Sequence, residues 1–93
     1  MKKVDNIKNS AYMVLSDLAF IFAKDEGMRR LIVYNVKNIS QMAIFNIMND
    51  GRFLLNSSDL SETNTYKAIA LIERNKMDLI EGYKLWESTQ KNA

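Results

Sequence analysis

The chain has 93 residues, of which 47% are hydrophobic and 26% are charged, and its formal net charge is +2. This size and composition indicate a single globular domain over residues 1–93, and so small a charge argues against nucleic acid as a partner. Because the chain contains neither histidine nor cysteine, imidazole bases, thiolate nucleophiles and disulfides are all excluded.

No phosphate-binding glycine motif and no calcium-loop spacing is present, so we predict no cofactor and no metal site. No cluster of the remaining reactive side chains stands out, and we therefore predict no catalytic residues and no enzyme activity. The longest strictly apolar run, residues 18–23, is far shorter than the ~20 residues that span a membrane. Polar residues near the start interrupt any signal peptide, which predicts a cytoplasmic protein.

The first predicted element is an amphipathic helix over residues 3–24. Eight apolar residues recur within about 120° of one another at the helical period, and Gly27 is suited to ending the helix. Met13 and Phe20 lie on the opposite side of this predicted helix. Exposed apolar side chains in a cluster are typical of contact surfaces, so these two residues are predicted to bind a partner.

Residues 28–49 are apolar nearly all round a helical projection, which predicts a buried central helix. The alternative is a strand over Leu31–Val36 and a hairpin across Asp50 and Gly51, because β-branched residues and an Asp-Gly turn are both present. The helix is favoured because the helical period continues for more than five turns.

The C-terminal half predicts a short loop or turn at residues 53–55 and two further helices, near 59–75 and 78–88. Asp59 and Glu62 have the spacing of a capping box at the start of the first of these helices, and the single Trp86 is expected in the core. The predicted fold class is thus all-α, a small bundle of four helices.

The alternative fold is a winged helix-turn-helix with a C-terminal β-wing. Residues 59–75 resemble the recognition helix of winged-helix regulators, and the wing strands would then be residues 76–80 and 83–87. The resemblance implies DNA contacts from Asn64, Thr65, Lys67 and Arg74. Against it, residues 59–87 carry six acidic and four basic side chains, whereas a DNA-binding face is basic.

The acidic side chains of the C-terminal half offer a second docking surface, for which Glu62, Glu73 and Glu81 are the candidates. These observations favour a small inhibitor or regulator of the immunity-protein, antitoxin or adaptor type. It would act by sterically occluding one protein partner, a toxin or nuclease being one candidate. The alternative function is a helix-turn-helix transcriptional regulator that binds DNA, and homodimerisation is a further possibility.

Overall fold

The computed structural model describes residues 11–91 and shows a five-stranded antiparallel sheet followed by two helices. The strands lie side by side in chain order, so that each pairs with the next. Their bounds are β1 Met13–Leu15, β2 Leu18–Asp25, β3 Met28–Asn35, β4 Asn38–Ile47 and β5 Phe53–Ser58, and the helices are α1 Glu62–Arg74 and α2 Lys76–Lys91. The predicted all-α bundle is therefore wrong.

Tight turns explain why this apolar sequence forms hairpins rather than long helices. Ser16 and Asp17 connect β1 to β2, and Glu26 and Gly27 connect β2 to β3; all four have positive φ angles, between 51° and 81°. Two consecutive residues with positive φ form the turn type whose twist matches that of paired strands. The register of β2 and β3 is continuous from Leu18 opposite Asn35 to Asp25 opposite Met28.

The predicted helices over 3–24 and 28–49 are both wrong within the described residues, since these segments form β1 to β4. Residues 3–10 of the first predicted helix lie outside the described part of the chain. The alternative of a strand over 31–36 with a hairpin across Asp50 and Gly51 agrees with β3 over residues 31–35 and with the position of the β4–β5 connection. The segment predicted as a loop at 53–55 belongs to β5.

The two helices predicted for the last third of the chain are present, but with different boundaries. Ser61, not Asp59, is the N-cap of α1, and its hydroxyl oxygen accepts a hydrogen bond from the Asn64 backbone N–H at 3.1 Å. The predicted wing strands at 76–80 and 83–87 are wrong, because both segments lie within α2. Neither described helix has the length and apolar character that crossing a membrane requires.

Both helices pack on one face of the sheet. Alternate residues of β2, β3 and β4 point to this face, and the largest fully buried side chains of the sheet are Leu18, Phe20, Leu31, Val33 and Phe45. The helices contribute buried apolar residues to the same cluster, namely Ala68, Ile72, Leu79 and Tyr83.

Candidate protein-binding surface

The second face of the sheet is also apolar, although neither of the two helices in residues 11–91 packs on it. Because successive side chains of a strand point to opposite faces, the register places one set of residues on this side. We call this set the open face; its apolar members are Val14, Ala19, Ile21, Ala23, Ile32, Tyr34, Met42, Ile44 and Leu54. Ala19 is fully buried among its neighbours.

The centre of the open face is a row of three isoleucines across the three longest strands. Ile32 of β3 is opposite Ile21 of β2 on one side and Ile44 of β4 on the other. Each of the three is half-buried by its neighbours, while Val14 and Leu54 at the margins are 39% and 42% exposed. An antiparallel sheet with one solvated face normally carries polar residues there, so an apolar row in this position indicates a contact surface.

One end of the open face is polar. Arg30 and Asn46 are register partners on β3 and β4, and an Arg30 terminal nitrogen lies 3.4 Å from a carboxylate oxygen of Asp25. Among the described residues, the buried Arg30 Nε and the buried Asn46 Oδ1 have no hydrogen-bond partner. Buried polar atoms are rarely left without a partner, which distinguishes this end from the rest of the sheet.

The structure places Met13 and Phe20 on the helix-covered face, where they are register partners. Phe20 is 0% exposed, and Met13 packs against the core cluster while half-buried. The expected exposed stripe on a first helix therefore does not exist. The neighbours of Phe20 in the sequence, Ala19 and Ile21, are the ones that point to the open face.

The three acidic candidates lie on the helices and are exposed. Glu62 and Glu73 belong to α1, and Glu81 belongs to α2 with its carboxylate 3.8 Å from Lys84 Nζ. These residues would form one acidic face only if a single helical phase ran through both helices. Because α1 ends at Arg74 and α2 begins at Lys76, that phase is interrupted, and a docking role for these residues stays a prediction.

Of the four residues implied in DNA binding, Lys67 and Arg74 are exposed on α1 and Asn64 and Thr65 are half-buried. The Thr65 hydroxyl donates to the Ser61 carbonyl oxygen at 2.9 Å and lies 2.9 Å from the Ser58 hydroxyl. This side chain is used to connect the start of α1 to the end of β5.

A cluster of aromatic side chains joins the start of β1 to α2. The Tyr12 hydroxyl donates to a carboxylate oxygen of Asp78 at 2.7 Å, and this hydrogen bond, with smaller contributions from burial and the Asp78 charge, raises the pKa of Tyr12. Burial likewise raises the pKa of Tyr83, with the Glu87 charge adding to the effect and Arg29 opposing it. No group of three or more acidic side chains that would hold a metal ion occurs in residues 11–91.

Reasoning from the sequence missed the open face, because its residues were assigned to the buried sides of two helices. The available indication was the turn at Glu26-Gly27 and the Asp50-Gly51 pair in the β4–β5 connection, which bracket two strands that contain β-branched residues. Comparison with protein-family models, with curated proteins and with solved structures finds no match to this chain.

Proposed function

We propose that this protein is a small regulator that binds one protein partner in the cytoplasm and acts by covering a surface of that partner. An immunity protein, an antitoxin and an adaptor all act in this way. The observation that supports the proposal is the row of Ile21, Ile32 and Ile44 on a sheet face that neither helix covers.

The dimensions of the open face define its role in such a complex. Four neighbouring strands and three rows of side chains cover about 14 Å by 14 Å, roughly 200 Å², whereas a stable interface uses roughly 800 Å² on each partner. The isoleucine row is therefore proposed as the desolvated centre of a larger interface. Burial of apolar area contributes about 25 cal/mol per Å² at such a centre.

The polar end specifies what the partner must carry. Asp25 contacts only one terminal nitrogen of Arg30, at 3.4 Å, and an arginine fork has further donors that suit a carboxylate. We infer a partner with a flat apolar patch and an acidic side chain at its margin, which would approach the guanidinium of Arg30. Charged groups at an interface margin mainly determine the association rate and the choice of partner.

The test is affinity capture from lysate of the source cell with the wild-type chain and two variants. Ile32→Lys introduces a charge at the centre of the open face. Met77→Lys is the matched control, because Met77 is an apolar residue on α2 with 76% of its surface exposed. Far-UV circular dichroism and thermal unfolding of all three chains establish that each is folded.

The proposal predicts one stoichiometric protein that is retained by the wild type and by Met77→Lys, resists nuclease treatment, and is lost with Ile32→Lys. Equal recovery with Ile32→Lys would contradict the open face as the contact surface. Recovery of nucleic acid, with binding that weakens by orders of magnitude between ~50 and ~200 mM salt, would instead support the alternative prediction of a DNA-binding regulator.

A further inference from the structure

Within residues 11–91, the outer edge of β2 is only partly paired. Strand β1 is opposite Leu18, Ala19 and Phe20 of β2 and no further, and the Tyr12 backbone N–H donates to the Phe20 carbonyl oxygen at 2.8 Å. Phe20 thus directs its backbone groups towards β1. Since alternate residues of a strand direct these groups to the same side, Phe22 and Lys24 also direct theirs to the outer edge, where no strand of residues 11–91 pairs with them.

A groove runs beside this edge, between β2 and α2. It consists of two adjoining cavities of about 310 and 560 Å³ that share Phe22 and Trp86 as walls. The first cavity is apolar, with Tyr12 and Leu85 completing its walls. The aromatic rings are in mutual contact, since the Phe22 ring centroid lies 4.9 Å from that of Tyr12 and 6.3 Å from that of Trp86.

The second cavity is more polar than the first, and Arg29 approaches its carboxylate from outside the lining. It is lined by Lys24, Glu87 and Gln90. One carboxylate oxygen of Glu87 lies 2.9 Å from Lys24 Nζ and 3.9 Å from Arg29 Nε. Two cations therefore share one carboxylate, and an additional acidic group would be favoured at this end of the groove.

We propose that the edge of β2 binds an extended peptide segment as an added strand, antiparallel to β2. Such a segment would form backbone hydrogen bonds to Phe22 and Lys24, and its side chains opposite these residues would both point to the helix-covered side. Two positions along a strand span about 6.8 Å, so one side chain occupies each cavity. An acidic residue is placed in the second cavity, and an apolar residue two positions later in the first.

This mode of recognition takes affinity from the main-chain hydrogen bonds and specificity from the pockets for alternate side chains. Its hydrogen-bonding groups are the backbone of Phe22 and Lys24 at the edge of β2, which do not belong to the open face, although Ile21 of the isoleucine row also lines the first cavity. Binding at the edge can therefore be tested separately, by the response of these two amides.

The test is an NMR titration of the full-length, ¹⁵N-labelled protein with a peptide of six residues, blocked at both ends. The peptide carries glutamate and leucine two positions apart among threonines. The matched control peptide differs only by a methyl group on the leucine amide nitrogen, which removes the donor that faces β2. Trp86 fluorescence provides a second readout, because it is the only tryptophan of the chain.

We expect saturable shifts of the Phe22 and Lys24 amides, slower hydrogen exchange at both, and binding at least about tenfold weaker for the methylated peptide. Lys24→Pro should abolish binding, because it removes an outward-facing N–H that is not used in pairing with β3. Lys24→Ala retains that N–H and should still bind.

Three results would overturn the proposal. The first is equal binding of the two peptides, and the second is the absence of any shift at Phe22 and Lys24. The third is slow exchange of these two amides in the free protein. Protection that did not depend on protein concentration would show that the chain itself occupies the edge. Protection that grew with concentration would show that a second copy occupies it.

Discussion

At the scale of single residues, Gly82 is the position where a small change has the largest local consequence. It lies within α2, where alanine is normally about 1 kcal/mol more favourable than glycine. A Cβ at this position would overlap the Tyr12 ring and hydroxyl. The ring has no easy alternative position, because it is held by the hydrogen bond to Asp78 and by contact with Phe22.

We therefore predict that Gly82→Ala lowers the free energy of unfolding by about 1 kcal/mol. The overlap with Tyr12 outweighs the higher helix propensity of alanine. In a Tyr12→Ala background the same substitution should raise it by up to about 1 kcal/mol. Chemical denaturation of the four chains of this double-mutant cycle measures both effects. A gain of equal size in both backgrounds would show that Tyr12 does not pack on Gly82.

The tyrosines also predict how stability depends on pH. The folded-state pKa of Tyr12 is raised from its ordinary value of 10.0, because its neutral hydroxyl donates to Asp78 and the phenolate does not. When the pKa of a group is higher in the folded state than in the unfolded state, the group stabilises the fold fully at pH values below its unfolded-state pKa. This stabilisation is lost as the pH rises through its folded-state pKa. The free energy of unfolding should fall above about pH 10.

Tyr12→Phe tests this assignment, since it removes one of the two tyrosines whose pKa is raised. The variant should be less stable than the wild type at neutral pH by about 0.5–1 kcal/mol, and the difference should shrink as the pH passes 10.0. Urea denaturation of both chains from pH 7 to 11 measures the difference. A constant difference over this range would refute the role of the hydrogen bond.

At the scale of elements, the turn between β2 and β3 is a determinant of the hairpin. Glu26 has a φ of 51°, a conformation that asparagine adopts more readily than glutamate does. Glu26 is exposed, so a substitution there changes few contacts. We predict that Glu26→Asn raises the thermal unfolding midpoint and that Glu26→Val lowers it. A higher midpoint for Glu26→Val than for Glu26→Asn would contradict a turn with positive φ at residue 26.

Two of the four connections between strands were predictable from the sequence, those at Gly27 and Gly51, whereas the type of the elements around them was not. The other two, at residues 16–17 and 36–37, lie inside the two predicted helices. Gly27, Gly51 and the Asn-Asp clusters were recognised as breaks, and the helical character of the last third follows from its apolar period and polar exposed positions. Strands β2 and β3 lack the alternation of a half-buried strand, because residues 18–23 and 31–34 place apolar side chains on both faces. A continuous apolar run does not distinguish a strand from a buried helix.

The same physical feature therefore obscured the fold and defines the candidate site. Had the open face been polar, Ile21, Ile32 and Ile44 would have been hydrophilic, and the two-residue period would have been visible. The residues expected to bind a partner, Met13 and Phe20, were chosen for lying opposite a helical stripe. In a strand, successive side chains point to opposite faces of the sheet, and this places Met13 and Phe20 on the face that carries the core.

In the molecule as a whole, we expect the two faces of one strand to respond differently to substitution. Ile32 and Val33 are neighbours in β3, the first half-buried on the open face and the second 0% exposed in the core. Ile32→Thr should lower the free energy of unfolding by less than about 1 kcal/mol. Val33→Thr buries a hydroxyl for which no hydrogen-bond partner is provided, and it should lower the free energy of unfolding by about 2 kcal/mol or more.

Denaturation at several protein concentrations checks this prediction. Equal losses for the two variants would show that the open face is already covered in the free protein. A loss for Ile32→Thr that grew with protein concentration would identify the cover as a second copy of the chain.

The most direct test of the open face is methyl NMR of the protein labelled at the isoleucine δ1 positions, recorded free and with the captured partner. The described chain supplies its own controls, because Ile72 is buried in the core and Ile69 is exposed on α1. The account predicts that the methyl resonances of Ile21, Ile32 and Ile44 shift or broaden together on binding while those of Ile69 and Ile72 do not. Shifts at Ile69, with the three open-face methyls unchanged, would contradict it and place the interface on the helices.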